Sequence, residues 1–184
     1  MKAFCIIGSP REDGSTARIM DKVIEGMRSA GIEAKRYALG SLGIGYCRGC
    51  RTCRATRACV QADDMNVLIE DMFASDIIVI GSPSYWGDVT AQLKTFIDRS
   101  LPLCNARTGE TSVPAGKVGV SVAVRSGSDP SENRHLVETI EHYFCHLGIT
   151  PVACLTVEGV SEPNDLPEAK LQEAYDLGAG IPYG

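Results

Sequence analysis

The chain has 184 residues, with 18 Lys or Arg against 23 Asp or Glu and a formal net charge of −5, which excludes the basic excess of a general nucleic-acid binder. Its 44 % of hydrophobic residues can bury the core of one domain spanning 1–184. Eight cysteines make up about 4 % of the chain, below the roughly 8–10 % of a disulfide-stapled secreted domain.

The first segment, MKAFCIIGSPRED, reaches charge after a few apolar residues, so no signal peptide is expected. No apolar stretch approaches the ~18 residues of a membrane helix, so no membrane partner is expected either. A cytoplasmic location follows as the expectation. There, cysteines serve as free thiols, metal ligands or redox centres rather than structural disulfides.

In chain order, a β-rich apolar run at 2–8 leads through a Gly/Ser loop into a helical stripe of Ile19, Met20, Val23, Ile24 and Met27. A weaker run at 33–39 precedes a cysteine-rich loop at about 41–62. After it, Met65, Leu68, Ile69, Met72 and Phe73 recur at helical spacing. Further strand-like runs lie at 76–82, 117–125 and 151–157, with a third helical stripe (Leu136, Ile140, Tyr143, Phe144, Leu147) before the last. This alternation predicts an α/β, doubly wound three-layer sandwich around a five-stranded parallel sheet, most simply in the order 2-1-3-4-5. Irregular segments at roughly 40–62, 83–91 and 102–116 are long for a compact domain and are read as functional.

The first loop, Gly8-Ser9-Pro10-Arg11-Glu12-Asp13-Gly14-Ser15-Thr16, runs straight into a helix. A helix N-terminus offers unpaired N–H groups and a partial positive charge, which suit a phosphate. Ser9, Ser15 and Thr16 add hydroxyls and Arg11 a cation, although the same residue types also serve as ordinary helix caps. Neither a GxxxxGK[ST] nor a GxGxxG fingerprint is present. The third strand ends in Pro83-Ser84-Tyr85-Trp86-Gly87-Asp88, where two aromatic groups can flank a planar ring or fold back as a lid. The fourth ends in Arg125-Ser126-Gly127-Ser128-Asp129. In a doubly wound sheet these loops meet beyond the carboxyl ends of the strands, as one site for a planar ligand bearing a phosphate.

The segments GSPREDGST, PSYWGDVTAQLKTFIDR and VRSGSDPSEN resemble the flavodoxin-like NADPH-dependent FMN reductase family, with a likeness running from the first strand to about residue 157. Ser15 stands where that family usually has Asn. The resemblance implies that Ser9, Arg11, Ser15 and Thr16 hold the FMN phosphate. It implies that Pro83, Ser84, Tyr85, Trp86 and Gly87 border the isoalloxazine and that Ser126 and Gly127 close its other side. Lys94, Phe96, Asp98 and Arg99 match the family segment too and are assigned a structural role.

Cys47, Cys50, Cys53 and Cys59 form a C-x2-C-x2-C-x5-C cluster interleaved with Arg48, Arg51, Arg54 and Arg57. Bacterial ferredoxins share the C-x2-C-x2-C core, whereas structural zinc usually takes two separated C-x2-C knuckles. The arginines would offset the charge of a thiolate cluster, lower thiol pKa values without one, or attract an anionic substrate or an acidic electron carrier. Spacing and position resemble the iron–sulfur flavoprotein branch of the family, which implies a [4Fe-4S] cluster on these four cysteines. A metal-free thiol loop with a reversible disulfide, and a zinc site, are the other readings.

The resemblance therefore implies an FMN-dependent oxidoreductase passing electrons between a reduced donor (NAD(P)H or a ferredoxin-like protein), FMN and the cluster, in a homodimer or homotetramer. Its partners would be small-molecule or protein electron donors and acceptors. A plain NAD(P)H-dependent FMN or quinone reductase without a cluster is the alternative within enzymes. A flavodoxin-type electron carrier or thiol redox sensor is the alternative outside them.

His142 and His146 stand at i, i+4, a metal-compatible spacing, and with His135 form a stripe about 130° from the centre of the apolar face, read as a solvated or interface face. Cys5, Cys145 and Cys154 sit in apolar segments and are expected to be inert core residues, with Cys104 in a loop. No nucleophile elbow appears.

Overall fold

A computed structural model describes residues 1–105, 107–129 and 131–182. Five strands, β1 (Lys2–Ile7), β2 (Glu33–Ala38), β3 (Ile77–Pro83), β4 (Val118–Val124) and β5 (Thr150–Val157), form an all-parallel sheet in the order β2-β1-β3-β4-β5. The helices are α1 (Ser15–Ser29), α2 (Cys53–Thr56), α3 (Met65–Phe73), α4 (Ala91–Arg99), α5 (Ser131–His146) and α6 (Glu168–Ala179). The order and the flavodoxin-like architecture match the expectation from sequence.

Period-two alternation divides β1 between two cores. Cys5 and Ile7 face α1 and α6, packing with Met20, Val23, Met27 and Val79. Phe4 and Ile6 face α3, α4 and α5, packing with Met72, Phe96, Phe144 and Ile80. Burial on both faces explains why these strands read as continuous apolar runs.

Three features depart from the sequence reading. Helix α6 lies beyond the last predicted strand and packs on α1. Its approach needs glycine, since a Cβ on Gly178 would come within 2.0 Å of the Val23 carbonyl oxygen and one on Gly26 within 2.1 Å of that of Tyr175. The cysteine loop contains the single-turn helix α2. Of the three cysteines expected in the core, Cys5 is buried, but Cys145 and Cys154 are exposed. Cys145 lies on the outer side of α5, beyond the buried Tyr143 and Phe144. Cys154 is on edge strand β5, whose Leu155 and Val157 are the residues turned into the core.

Candidate functional site

The carboxyl ends of β1, β3 and β4 are tied together by backbone: Gly8 N–H donates to the Gly81 carbonyl (2.7 Å) and Ser84 N–H to the Val124 carbonyl (2.8 Å). The first loop then turns into α1, whose N-cap is Gly14, with no side-chain cap. The first turn of a 15-residue helix thus has free N–H groups. Ser9 accepts from the Arg11 N–H at 3.0 Å. Ser15 is buried, and its hydroxyl has no hydrogen-bond partner. Buried hydroxyls rarely stay unpaired, so an orphan at a helix N-terminus marks a place for an acceptor.

These residues surround a cavity of about 240 Å³ lined by Ser9, Arg11, Ser15, Thr16, Pro83, Ser84, Tyr85 and Ser126, eight residues singled out from sequence. Four more were not: Val124, Arg125, Val160 and Ser161. Arg125 pairs with Glu132 across the mouth of α5, and Arg11 with Glu162 at 3.3 Å, so both cations are held by acids from later in the chain. Trp86, Gly87 and Gly127 do not line the cavity. Gly127 is instead where the Arg125 guanidinium passes, 2.4 Å from any Cβ that would be added there. Pro130, within the SDPSEN stretch, lies outside the described residues.

Trp86 and Gly87 form a two-residue turn closed by reciprocal backbone hydrogen bonds between Tyr85 and Asp88 (2.9 and 3.2 Å). Both have positive φ, 57° and 77°. Glycine accommodates this freely, whereas a left-handed Trp costs roughly 1–2 kcal/mol. The turn holds Trp86 fully in solvent and Tyr85 half exposed.

The cysteine loop is organised differently. Gly49, Arg51 and Arg57 take left-handed conformations (φ 65°, 63° and 58°), and Arg57 ends α2. With these bends, Cys47, Cys50, Cys53 and Cys59 all line one cavity of about 230 Å³, together with Arg48, Arg51, Arg54 and Arg99. All four are free thiols. Burial pushes the Cys53 thiol up, and the nearness of Cys59, Cys50 and Cys47 adds to it; hydrogen bonds from Thr52 pull Cys50 down. Among the described residues, no group of three or more His, Cys, Asp or Glu side chains is arranged to hold a metal ion. The thiols thus surround a space rather than converge on a point. None of Arg48, Arg51, Arg54 and Arg57 has an acidic partner within 4.0 Å among the described residues.

The base of this loop rests on α4. Arg99, 1 % exposed, makes a bidentate pair with Asp63 (2.6 and 2.9 Å) and donates to the Gly45 carbonyl. Asp63 also accepts from the N–H groups of Gly45 (3.1 Å) and Met65 (3.2 Å), and the Arg99 guanidinium holds its carboxyl below the usual range. At the other end of α4, Thr90 accepts from the Leu93 N–H at 3.2 Å and donates to the Gly8 carbonyl. One nine-residue helix therefore touches the first loop at its start and the cysteine loop at its end. The structural role expected for Arg99 takes this specific form.

A larger groove of about 620 Å³ lies between α4 and α5 and includes His135, His142 and His146 in its lining. All three histidines are exposed, and the Nε2 atoms of His142 and His146 are 3.0 Å apart.

Residues 1–158 match the family described as NADPH-dependent FMN reductase. An iron-sulfur flavoprotein of Archaeoglobus fulgidus is 36 % identical over 181 residues, covering 98 % of this chain and 79 % of the relative. An iron-sulfur flavoprotein of Methanocaldococcus jannaschii is 33 % identical over 189 residues, covering 98 % and 95 %. Among solved structures, an NAD(P)H:quinone oxidoreductase from Methanothermobacter marburgensis shares the fold, with a TM-score of 0.82 at 14 % identity over 100 % of this chain and 97 % of that one.

Proposed function

This chain belongs to the NADPH-dependent FMN reductase family, and we propose that it is an iron–sulfur flavoprotein, with FMN at the strand-end cavity and a [4Fe-4S] cluster on Cys47, Cys50, Cys53 and Cys59. That the chain is a flavoprotein oxidoreductase follows from the family itself. The observation that carries the cluster is that four free thiols line one cavity flanked by arginines. A thiolate donor set of this kind suits iron–sulfur ligation, and the guanidinium groups offset its negative charge.

The strand-end cavity fits the phosphate end of FMN. The unpaired Ser15 hydroxyl and the uncapped first turn of α1 supply donors, with Ser9 and Thr16 beside them and Arg11 as the cation. Arg125 brings a second positive charge to the same wall. At about 240 Å³ the cavity falls below the roughly 300–1,000 Å³ of typical ligand pockets. The ring would therefore extend outward along Pro83, Ser84 and Tyr85, with Trp86 and Gly87 at its outer rim and Ser126 and Gly127 opposite. When bound, FMN supplies a hydride acceptor that can also exchange single electrons. The residues of this chain bind and orient it, and no side-chain acid or base is assigned to hydride transfer.

The electron donor is proposed to be NAD(P)H or a ferredoxin-like protein, and the assembly a homodimer or homotetramer. Val60 and Leu101, exposed and both in the lining of the cysteine cavity, support a covered surface there in that assembly. Anaerobic purification followed by visible spectroscopy and iron, sulfide and zinc analysis tests the reading. About one FMN and about four irons per chain are expected. Flavin without iron after anaerobic reconstitution would remove the cluster and leave a plain NAD(P)H-dependent FMN or quinone reductase. The arrangement of the thiols, not drawn into a metal-holding group, is the observation that favours this second reading.

A further inference from the structure

We propose that Arg99 is the positioning residue of the cysteine centre: it clamps both ends of the loop to α4 and donates its unpaired Nε–H to a sulfur of the thiol cavity. The inference rests on the reading that the four thiols hold a cluster.

Two observations carry it. First, the clamp joins the two ends of the loop. Gly45 lies two residues before Cys47 and Asp63 four residues after Cys59, and the same guanidinium binds both. Asp63 closes the ring by accepting from the Gly45 N–H. The mouth of the segment carrying all four cysteines is thus fixed by one cation and one carboxylate. Charge-assisted, bidentate bonds of this kind are the strongest that side chains make.

Second, the guanidinium is not used up. Its Nη atoms serve Gly45 and Asp63, but Nε is buried without a hydrogen-bond partner. A buried charged donor left unpaired is costly, so its place in the fold calls for an acceptor. Arg99 and Cys59 line the same cavity, so a sulfur at that wall is the acceptor the fold places beside the guanidinium. A sulfur ligand there would complete the set. Hydrogen bonds to cluster sulfurs and nearby positive charge both raise a reduction potential, so Arg99 would tune the centre as well as place it. Arg48, Arg51 and Arg54 also line the cavity but are exposed, and solvent screens their charge.

The test uses the full-length chain, iron-free and anaerobically reconstituted, as wild type, Arg99→Lys, and the double variant Arg99→Met with Asp63→Asn. The double variant leaves no unpaired buried charge, which keeps it foldable. Hydrogen exchange of peptides covering 43–65 in the iron-free protein reads the clamp. It is expected to accelerate about tenfold or more in both variants, with the β3 peptides unchanged. The midpoint potential of the reconstituted protein, compared at equal iron content, reads the N–H donation. It should move to more negative values in the double variant, where the net charge is unaltered, and less in Arg99→Lys. Unchanged exchange overturns the clamp; an unchanged potential at full iron content reduces Arg99 to packing. A wild-type chain that takes up no iron sinks the cluster reading and the sulfur contact with it, while the exchange measurement still decides the clamp.

Discussion

The strand-end cavity and the cysteine cavity have nearly equal volumes, about 240 and 230 Å³, yet they are built in opposite ways. The first is made where a buried parallel sheet stops, and backbone bonds such as Gly8 to Gly81 and Ser84 to Val124 set its shape. Its walls follow from the register of β1, β3 and β4. The second is a surface loop whose form depends on three left-handed residues, Gly49, Arg51 and Arg57, and on the Arg99–Asp63 pair at its base. A ligand can meet a preformed cradle in the first. In the second, much of the order is expected to come with the ligand, because metal binding and local folding are linked.

If the two sites are independent in construction, each can be destroyed alone. Cys50→Ala is expected to abolish iron uptake on reconstitution while flavin content stays at the wild-type level. Retained iron would remove Cys50 from the ligand set. The converse variant is Ser15→Asp, which sets a carboxylate at the uncapped N-terminus of α1 where the phosphate is proposed to sit. Repulsion and loss of the hydroxyl donor should weaken FMN binding about a hundredfold, or ~2.7 kcal/mol, with iron uptake unaffected. Flavin fluorescence titration and iron analysis of the same sample measure both effects. Tight FMN binding by this variant would move the phosphate elsewhere.

Acid should separate the two regions further. Asp63 is depressed by its hydrogen bonds from Arg99, so its folded pKa lies below its unfolded value. A carboxylate shifted this way contributes stability that is fully present above the unfolded pKa, about 3.9, and is lost as pH falls through the folded value. Peptides covering 43–65 of the iron-free chain should therefore lose exchange protection as pH is lowered below that range. The backbone-tied ends of β1 and β3 have no such pair and should keep theirs. In Asp63→Asn this acid-dependent difference between the regions should vanish; its persistence would assign the effect to another group. Intrinsic exchange rates at each pH provide the reference.

The same contrast explains what could be read from the sequence. Strands buried on both faces write themselves as runs such as Ile77–Ile80, and the loops at their ends are marked by Gly, Ser and Pro, so most of the strand-end cavity was legible. Arg125 stood inside a quoted motif, but its place on the wall depends on where β4 stops, and Ser161 follows a strand with no such signature. Helix α6 has only Ala174 and Gly178 buried, too few for an apolar stripe, and it meets α1 through glycines that read locally as helix breakers. Arg99 reads as one more polar letter at the end of a helix. Its burial follows from Asp63, 36 residues away, which only the fold reveals. Cys145 and Cys154 failed for the related reason that an apolar neighbourhood in sequence does not determine which side of an outer element faces solvent.

The smallest predicted effect concerns the one place where the strand-end region is itself strained. Trp86 takes a left-handed backbone with its side chain wholly in solvent, so it contributes strain without packing in the isolated chain. Trp86→Gly removes the steric penalty but gives the unfolded chain more freedom, and the two effects oppose each other. The net change should be a stabilisation of about 0.5 kcal/mol, or a rise in melting temperature of roughly 1–2 °C for the iron-free, flavin-free protein. If Trp86 is retained to border the flavin ring, FMN affinity should fall in the same variant. Opposite signs for stability and affinity would identify strain held for binding, as left-handed residues at functional sites often are. A variant that gained stability and bound FMN as tightly as the wild type would show that the ring is bordered by Tyr85 without Trp86.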